Sequence, residues 1–120
     1  MHAQRNLRIG SAVGVLLVLL TTLLLTACPP SPSIAEIERN PGKYSGKEIV
    51  VRGNVDQTFG LLGSGAYRLN DGSGSIWVMS QNFGIPGRGA NVRVAGTLVQ
   101  GASLGGRNLG LALRQTRTAQ

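Results

Sequence analysis

Gly46-Lys47-Glu48-Ile49-Val50-Val51-Arg52-Gly53-Asn54-Val55 decides how this chain is read. Ile49, Val51 and Val55 take one side of a period-two pattern, and Arg52, Asn54 and Asp56 take the other, which is the mark of a half-buried strand. The pattern returns further on: Gly46, Ile49, Val51, Gly53 and Val55 correspond to Gly89, Val92, Val94, Gly96 and Leu98. The echo reads either as a duplicated unit or as two strands with one physical need. In the second case each strand carries a central glycine so that it can bend sharply as a sheet closes on itself.

Three shorter strands are expected around this pair. Tyr67-Arg68-Leu69 and Ser75-Ile76-Trp77-Val78-Met79 flank Asn70-Asp71-Gly72-Ser73-Gly74, a turn-rich hairpin signal. Asn108 to Gln115 is read as the last strand, with Leu109, Leu111 and Leu113 on one face, and Thr116 to Gln120 as a polar tail. Gln81 to Gly89 holds Pro86 and three glycines and reads as a loop. Upstream, Ser33 looks like the N-cap of a short helix, with Glu36 placed as in a capping box and Asn40-Pro41-Gly42 as its end. The fold class is therefore all-β: a small five-stranded closed barrel with one short N-terminal helix.

Composition agrees with a small β domain. The chain has 120 residues, 18 of them glycine, and few aromatics. That leaves room for one domain of modest core over 34–120, burying about 60–65% of its unfolded surface. The leader takes Arg5 and Arg8, so ten Lys and Arg remain from Cys28 onward against five acids, a net charge of about +5. Such a balance suits either a generally basic soluble surface or an anionic partner.

The amino terminus has its own signature. His2, Arg5 and Arg8 precede an uncharged run from Ile9 to Ala27, the layout of a secretory signal. The run is also close to the length of a membrane span, so an uncleaved N-terminal transmembrane anchor is the alternative. It ends in Leu25-Thr26-Ala27-Cys28, followed at once by Pro29-Pro30-Ser31-Pro32-Ser33. This junction resembles the lipobox of bacterial lipoproteins: an aliphatic residue, two small ones, then the cysteine that receives the lipid. The resemblance implies a signal peptide over 1–27, a membrane anchor through a diacylglyceryl or acylated Cys28, and a Pro/Ser tether over 28–33. It also implies a place in the cell envelope. In a two-membrane cell this is the periplasmic face of the outer membrane, since Pro29 stands where an aspartate would resemble a retention signal.

Asn40-Pro41, Tyr44, Gly46-Lys47, Ile49 to Val51, Gly53, Val55, then Tyr67, Leu69, Asp71-Gly72, Gly74, Ile76, Val78, and finally Pro86, Gly89, Val92, Val94 and Gly96 follow in an order that resembles the small OB-fold domains of bacterial envelope and nucleic-acid-binding proteins. Such domains bind ligands on strands two and three and with the loops joining strands one to two and four to five. Carried over, the resemblance implies a surface of Phe59, Leu61, Leu62, Arg68, Trp77 and Met79, joined by Ser103, Leu104 and Arg107. An outward Trp77 near Arg68 suits stacking on bases or sugars; alternatively it packs under the Gly60–Gly65 loop and binds nothing. Because the segment before the fourth strand is too short for the helix that often caps this fold, the N-terminal helix is expected to cover the lower mouth.

Arg52, Arg68, Arg93 and Arg114 fall at outward positions on different strands, either as a polyanion surface or as scattered solvated charges. Nucleic acid is a poor expectation in an envelope, so the expected partner is an envelope protein or glycan. Catalysis is not expected: the only histidine is His2, and the only thiol is Cys28. No cofactor or metal is expected, since Asp71 lacks the further carboxylates of a calcium loop.

Overall fold

The computed structural model describes residues 28–61 and 64–120. The run expected to be a signal peptide, with Leu25-Thr26-Ala27, lies outside the described residues, as do Leu62 and Gly63. Among the described residues no helix is long and apolar enough to cross a membrane.

The elements run α1 (Ile34–Arg39), α2 (Pro41–Tyr44), β1 (Glu48–Leu61), β2 (Ser64–Asn70), β3 (Ser75–Gln81), β4 (Asn91–Leu104) and β5 (Arg107–Gln115). The protein is mostly β, and its five strands close into a ring in the order β1-β2-β3-β5-β4. Every neighbouring pair is antiparallel except β3 and β5, whose short parallel contact joins Trp77 to Ala112, Val78 to Leu113 and Met79 to Arg114.

The two echoing segments pair with each other. Ile49 faces Gly96, Val51 faces Val94, and Gly53 faces Val92. Position 51 corresponds to 94 in the echo, so the repeat behaves as a local two-fold about the Val51–Val94 pair. Each strand changes partner at its glycine. β1 pairs with β4 through Asn54 and with β2 from Asn54 onward, while β4 pairs with β1 up to Thr97 and with β5 from Gly96. A Cβ on Gly53 would stand 2.9 Å from the Asn70 carbonyl oxygen, and one on Gly96 2.6 Å from that of Arg114. Such approaches exclude any side chain there, so the central glycines sit where three strands crowd a corner.

The same symmetry explains how the open edges of this ribbon are covered. Val50 N–H donates to the Pro30 carbonyl at 2.9 Å, and its counterpart Arg93 N–H donates to Gln120 at 2.7 Å. Pro29–Ser33 therefore does not stand free as the expected spacer. Its first residues lie along β1, and Val50 is buried although alternation points it outward. The 116–120 segment likewise lies along β4: Thr116 N–H donates to Ala95, and Arg117 and Glu48 form an ion pair.

Inside the ring lie Ile49, Val51, Val55, Tyr67, Leu69, Ile76, Val78, Val94, Leu98 and Leu113. Tyr67 donates its hydroxyl to Gln115 Oε1 at 2.8 Å and Gln115 Nε2 donates to the Arg117 carbonyl at 2.8 Å, so the polar atoms of both buried side chains are satisfied; burial pushes the Tyr67 hydroxyl pKa up. α1 closes one end with Ile34 and Ile37, both fully buried. Six residues cannot hold a helix unaided. Burying two isoleucines contributes about 1.5–3 kcal/mol each, so α1 exists because it is docked.

Its N-terminus is docked too. Ser33 Oγ accepts from Glu36 N–H at 3.2 Å, the first half of the expected capping box. The other half does not form, because the Glu36 carboxylate accepts from Arg39 and Asn40 instead. Asp71 Oδ2 accepts from Ile34 N–H at 2.9 Å and Ser73 Oγ from Ala35 N–H at 3.1 Å, so the β2–β3 turn satisfies two further orphan donors. A second short helix, α2, follows where only a helix end was expected: Asn40 caps α1, and Pro41 starts the next turn, for which its fixed φ is suited.

Two further expectations change. β1–β2 and β4–β5 continue as long hairpins through stretches read as loops, to Leu61↔Ser64 and Leu104↔Arg107. Gly105-Gly106, both at positive φ, makes the tight two-residue turn of the second. Leu109 does not share a face with Leu111 and Leu113. The register shifts between Val99 and Ser103, where Gly110 has φ +65°, and this bulge turns Leu109 to the outer face.

Candidate functional site

The bulge matters because it helps build a second apolar cluster on the outside of the ring. Its floor is Ala66, Ala102, Leu109 and Ala112, and Phe59, Trp77, Met79, Val99 and Leu104 pack over it. Register explains the arrangement. Ala66 faces Met79 on β3, and Trp77 faces Ala112 on β5, so small residues on flanking strands make room for the large ones. Trp77 and Met79 are half-buried on the outer face, as alternation expects of neighbours of inward Ile76 and Val78.

The two hairpins form the walls of a cleft of about 300 Å³ lined by Phe59, Gly60, Ser64, Gly65, Leu104 and Gly105. Phe59 meets Trp77 edge to face, with ring centroids 5.9 Å apart and an interplanar angle of 73°. Arg107, from the opposite hairpin, places its guanidinium carbon 5.4 Å from the Phe59 centroid and 5.5 Å from that of Trp77. One cation thus covers two rings and ties β5 to β1 and β3. Arg107 is exposed, so its outward N–H groups are free to donate to an acceptor entering the cleft.

Of the residues expected from sequence, Phe59, Trp77, Met79, Leu104 and Arg107 come together here. Ser103 is exposed on β4 opposite Asn108. Leu61 lies in β1 at the hairpin end, and Leu62 is outside the described residues. Arg68 faces Trp77 across the β2–β3 pair, but its guanidinium is held by Asp56 in a two-point contact of 2.8 and 3.2 Å. Arg107 takes the place beside the indole that Arg68 was expected to fill. The Arg68 contact in turn holds the Asp56 carboxyl below the usual carboxylate range, against an opposing effect of burial. Asp56 reaches Arg68 because it sits in a bulge between Val55 and Gln57. No period-two reading of the strand reveals that bulge.

The four outward arginines do not form one surface. Arg68 is paired, Arg114 is exposed beside Met79 and Thr97, and Arg52 and Arg93 face each other directly across β1 and β4. The last two line an open groove of about 550 Å³ with Asn54, Asn70, Asn91 and Gln120. The asparagines carried no sequence signal, since exposed Asn at strand ends is ordinary turn chemistry.

Cys28 is exposed and is the one free cysteine among the described residues. Among the described residues no three of His, Cys, Asp and Glu lie together in an arrangement for a metal. Asp71 plays a structural part instead. Burial, the largest influence on it, opposes its ionisation, but hydrogen bonds from Ile34, Ser73 and Gly74 outweigh that effect and hold the carboxyl low.

No protein-family model matches the chain, and no curated protein matches it. Among solved structures, a protein of Leishmania major Friedlin assigned as an aspartyl-tRNA synthetase aligns at a TM-score of 0.57 with 16% identity over 76% of this chain. The match spans 20% of that protein's length. An OBody bound to hen egg-white lysozyme aligns at a TM-score of 0.48 with 15% identity, over 62% of this chain and 81% of its own. At these identities the likeness extends to the fold alone.

Proposed function

We propose that this chain is a non-enzymatic lipoprotein of the bacterial cell envelope, anchored through acylated Cys28, whose body is an OB-fold barrel that binds an envelope protein or glycan. The strand order β1-β2-β3-β5-β4 with a parallel β3–β5 closure supports the OB-fold reading. The Leishmania match supports the same fold. The observation that carries the binding reading is the cleft in which Arg107 lies over both Phe59 and Trp77. It occupies the β2–β3 face and the two hairpins, where this fold places its ligands, and it pairs aromatic surface with an exposed cation. Lipobox and exposed Cys28 support the anchor, with the outer membrane as the site in a two-membrane cell.

Two measurements test the reading. Cys28→Ser is expected to abolish lipid labelling and membrane association; unchanged labelling overturns the anchor. Trp77 is the single tryptophan of the chain, so its emission reports on the cleft directly. Titrating the full-length protein with soluble envelope glycan fragments and with purified envelope proteins is expected to shift that emission, and Arg107→Gln to weaken the response about three- to tenfold. Emission unmoved by both classes overturns the cleft as a binding site.

A further inference from the structure

The open groove on the β1–β4 ribbon lies on a different face from the aromatic cleft and next to the proposed anchor point. Pro29 shares a small cavity with Val50, Arg93, Arg117 and Gln120, and Arg93 also lines the open groove. With the Pro30 carbonyl held by Val50 N–H, only Pro29 separates Cys28 from a residue fixed on the ribbon. Two residues reach at most about 7 Å. A headgroup layer is about 5–8 Å thick, half the difference between the whole bilayer and its hydrocarbon core. A lipid on Cys28 therefore holds this face within about one headgroup-layer thickness of the membrane.

That face carries two like charges side by side. Arg52 and Arg93 are exposed and directly opposite each other, a pairing that costs stability in a sheet unless an anion sits between them. Neither takes part in an ion pair among the described residues. The nearby side-chain acids are engaged elsewhere: Asp71, which lines the groove, accepts from Ile34, Ser73 and Gly74, and Glu48 holds Arg117, while the carboxyl group of Gln120 accepts from the Arg93 backbone N–H rather than from either guanidinium. Asn54 Nδ2 donates to the Gly89 carbonyl and to Asn91 Oδ1, and Asn70 Nδ2 donates to Ser75 Oγ, so among the groove's amides it is the Asn91 Nδ2 group, oriented by Asn54, that is placed to donate to a phosphate or glycerol oxygen.

Building on the lipid-anchor reading, we infer that the Arg52–Arg93 groove docks onto the phosphates of anionic lipid headgroups, so that the domain lies flat on its membrane with the aromatic cleft turned to another side. Anchor and groove act together: the acyl chains supply residence, and the arginines set orientation. A membrane-surface arginine adds about fivefold to association with an anionic surface.

The test uses the full-length protein matured in cells and reconstituted into vesicles, with Cys28 acylation read from intact mass. Phenylglyoxal modification of each arginine is then followed by mass spectrometry. On vesicles containing phosphatidylglycerol, Arg52 and Arg93 are expected to react at least fivefold more slowly than on pure phosphatidylcholine. The protection is expected to vanish at high salt, with Arg114 unchanged as the internal control. Equal rates on both vesicles in acylated protein overturn the docking and leave the anchor standing. An unacylated Cys28 overturns the anchor and the docking geometry with it. Equal protection by inorganic phosphate on phosphatidylcholine vesicles overturns the lipid source and makes the groove a site for free phosphate.

Discussion

The inside of the ring and its β2–β3 outer face are both apolar, yet they are built on different plans. The interior uses large side chains, Tyr67, Leu98 and Leu113 among them, fully buried and closed off by Ile34 and Ile37. Its polar atoms are paired internally through Tyr67 and Gln115. The outer cluster inverts the arrangement: its buried floor is mostly alanine, and its large residues, Phe59, Trp77 and Met79, form a half-exposed roof under Arg107. Apolar surface inside the ring serves stability. On the outside it stays partly wet, where another molecule can complete the burial. Burial alone therefore does not mark the core of a small closed sheet; the size of the buried residues does.

Matched truncations probe that contrast most strongly. Leu113→Ala is expected to cost about 2–5 kcal/mol, which lowers the melting temperature of a domain this size by at least about 10 °C in circular dichroism. Leu109→Ala, at the edge of the outer cluster, is expected to cost less than half as much. Equal losses would erase the distinction between the two clusters. Tyr67→Phe comes next: it strands Gln115 Oε1 inside the ring, at about 1–3 kcal/mol, and urea unfolding measures it without disturbing the emission of Trp77 in the folded state.

Smaller effects test the contrast at its edges. Asp71→Asn removes the carboxylate charge that seals the β2–β3 turn onto the N-terminus of α1 and is expected to cost about 0.3–1 kcal/mol at neutral pH. The folded Asp71 carboxyl titrates below its unfolded value, near 3.9. Its contribution is thus complete above that value and lost as pH falls through the folded one. Asp56 behaves with the same sign through Arg68. Wild-type stability is therefore expected to drop in this acid range, and the drop to shrink in Asp71→Asn; an identical acid limb in both proteins counts against the seal. Arg107→Gln is comparably mild, about 0.5–1 kcal/mol from two exposed cation–π contacts, so a large loss of ligand response with little loss of melting temperature is its expected signature.

Much of the ring was legible because its demands are local and periodic. Ile49, Val51, Val92 and Val94 alternate with polar residues, and Asn70 to Gly74 can only be a turn. The outer position of Trp77 follows from inward Ile76 and Val78. The hairpin arms were not legible as strands, since Gly60, Gly65 and Gly101 dilute any alternation. Leu109 was assigned to the wrong face because a single bulge near Gly110 inverts the pattern without changing it in the sequence. Gly105-Gly106 was the available signal for the second hairpin, a two-glycine turn between Leu104 and Arg107.

The order of residues was enough to place the strands, the turn at Asn70 to Gly74 and the docking face of α1, because each depends on neighbours within a few positions. Folding in three dimensions was needed to set Asp71 as the cap of a helix 37 residues away, to lay Arg107 rather than Arg68 over Trp77, and to bring Arg52 against Arg93. It was also needed for Pro30 and Gln120 to cover symmetry-related edges of one ribbon. Those choices depend on which strands become neighbours when the sheet closes. Closure is a property of the whole ring, of its bulges and of its two corner glycines, and no single stretch of the chain contains it.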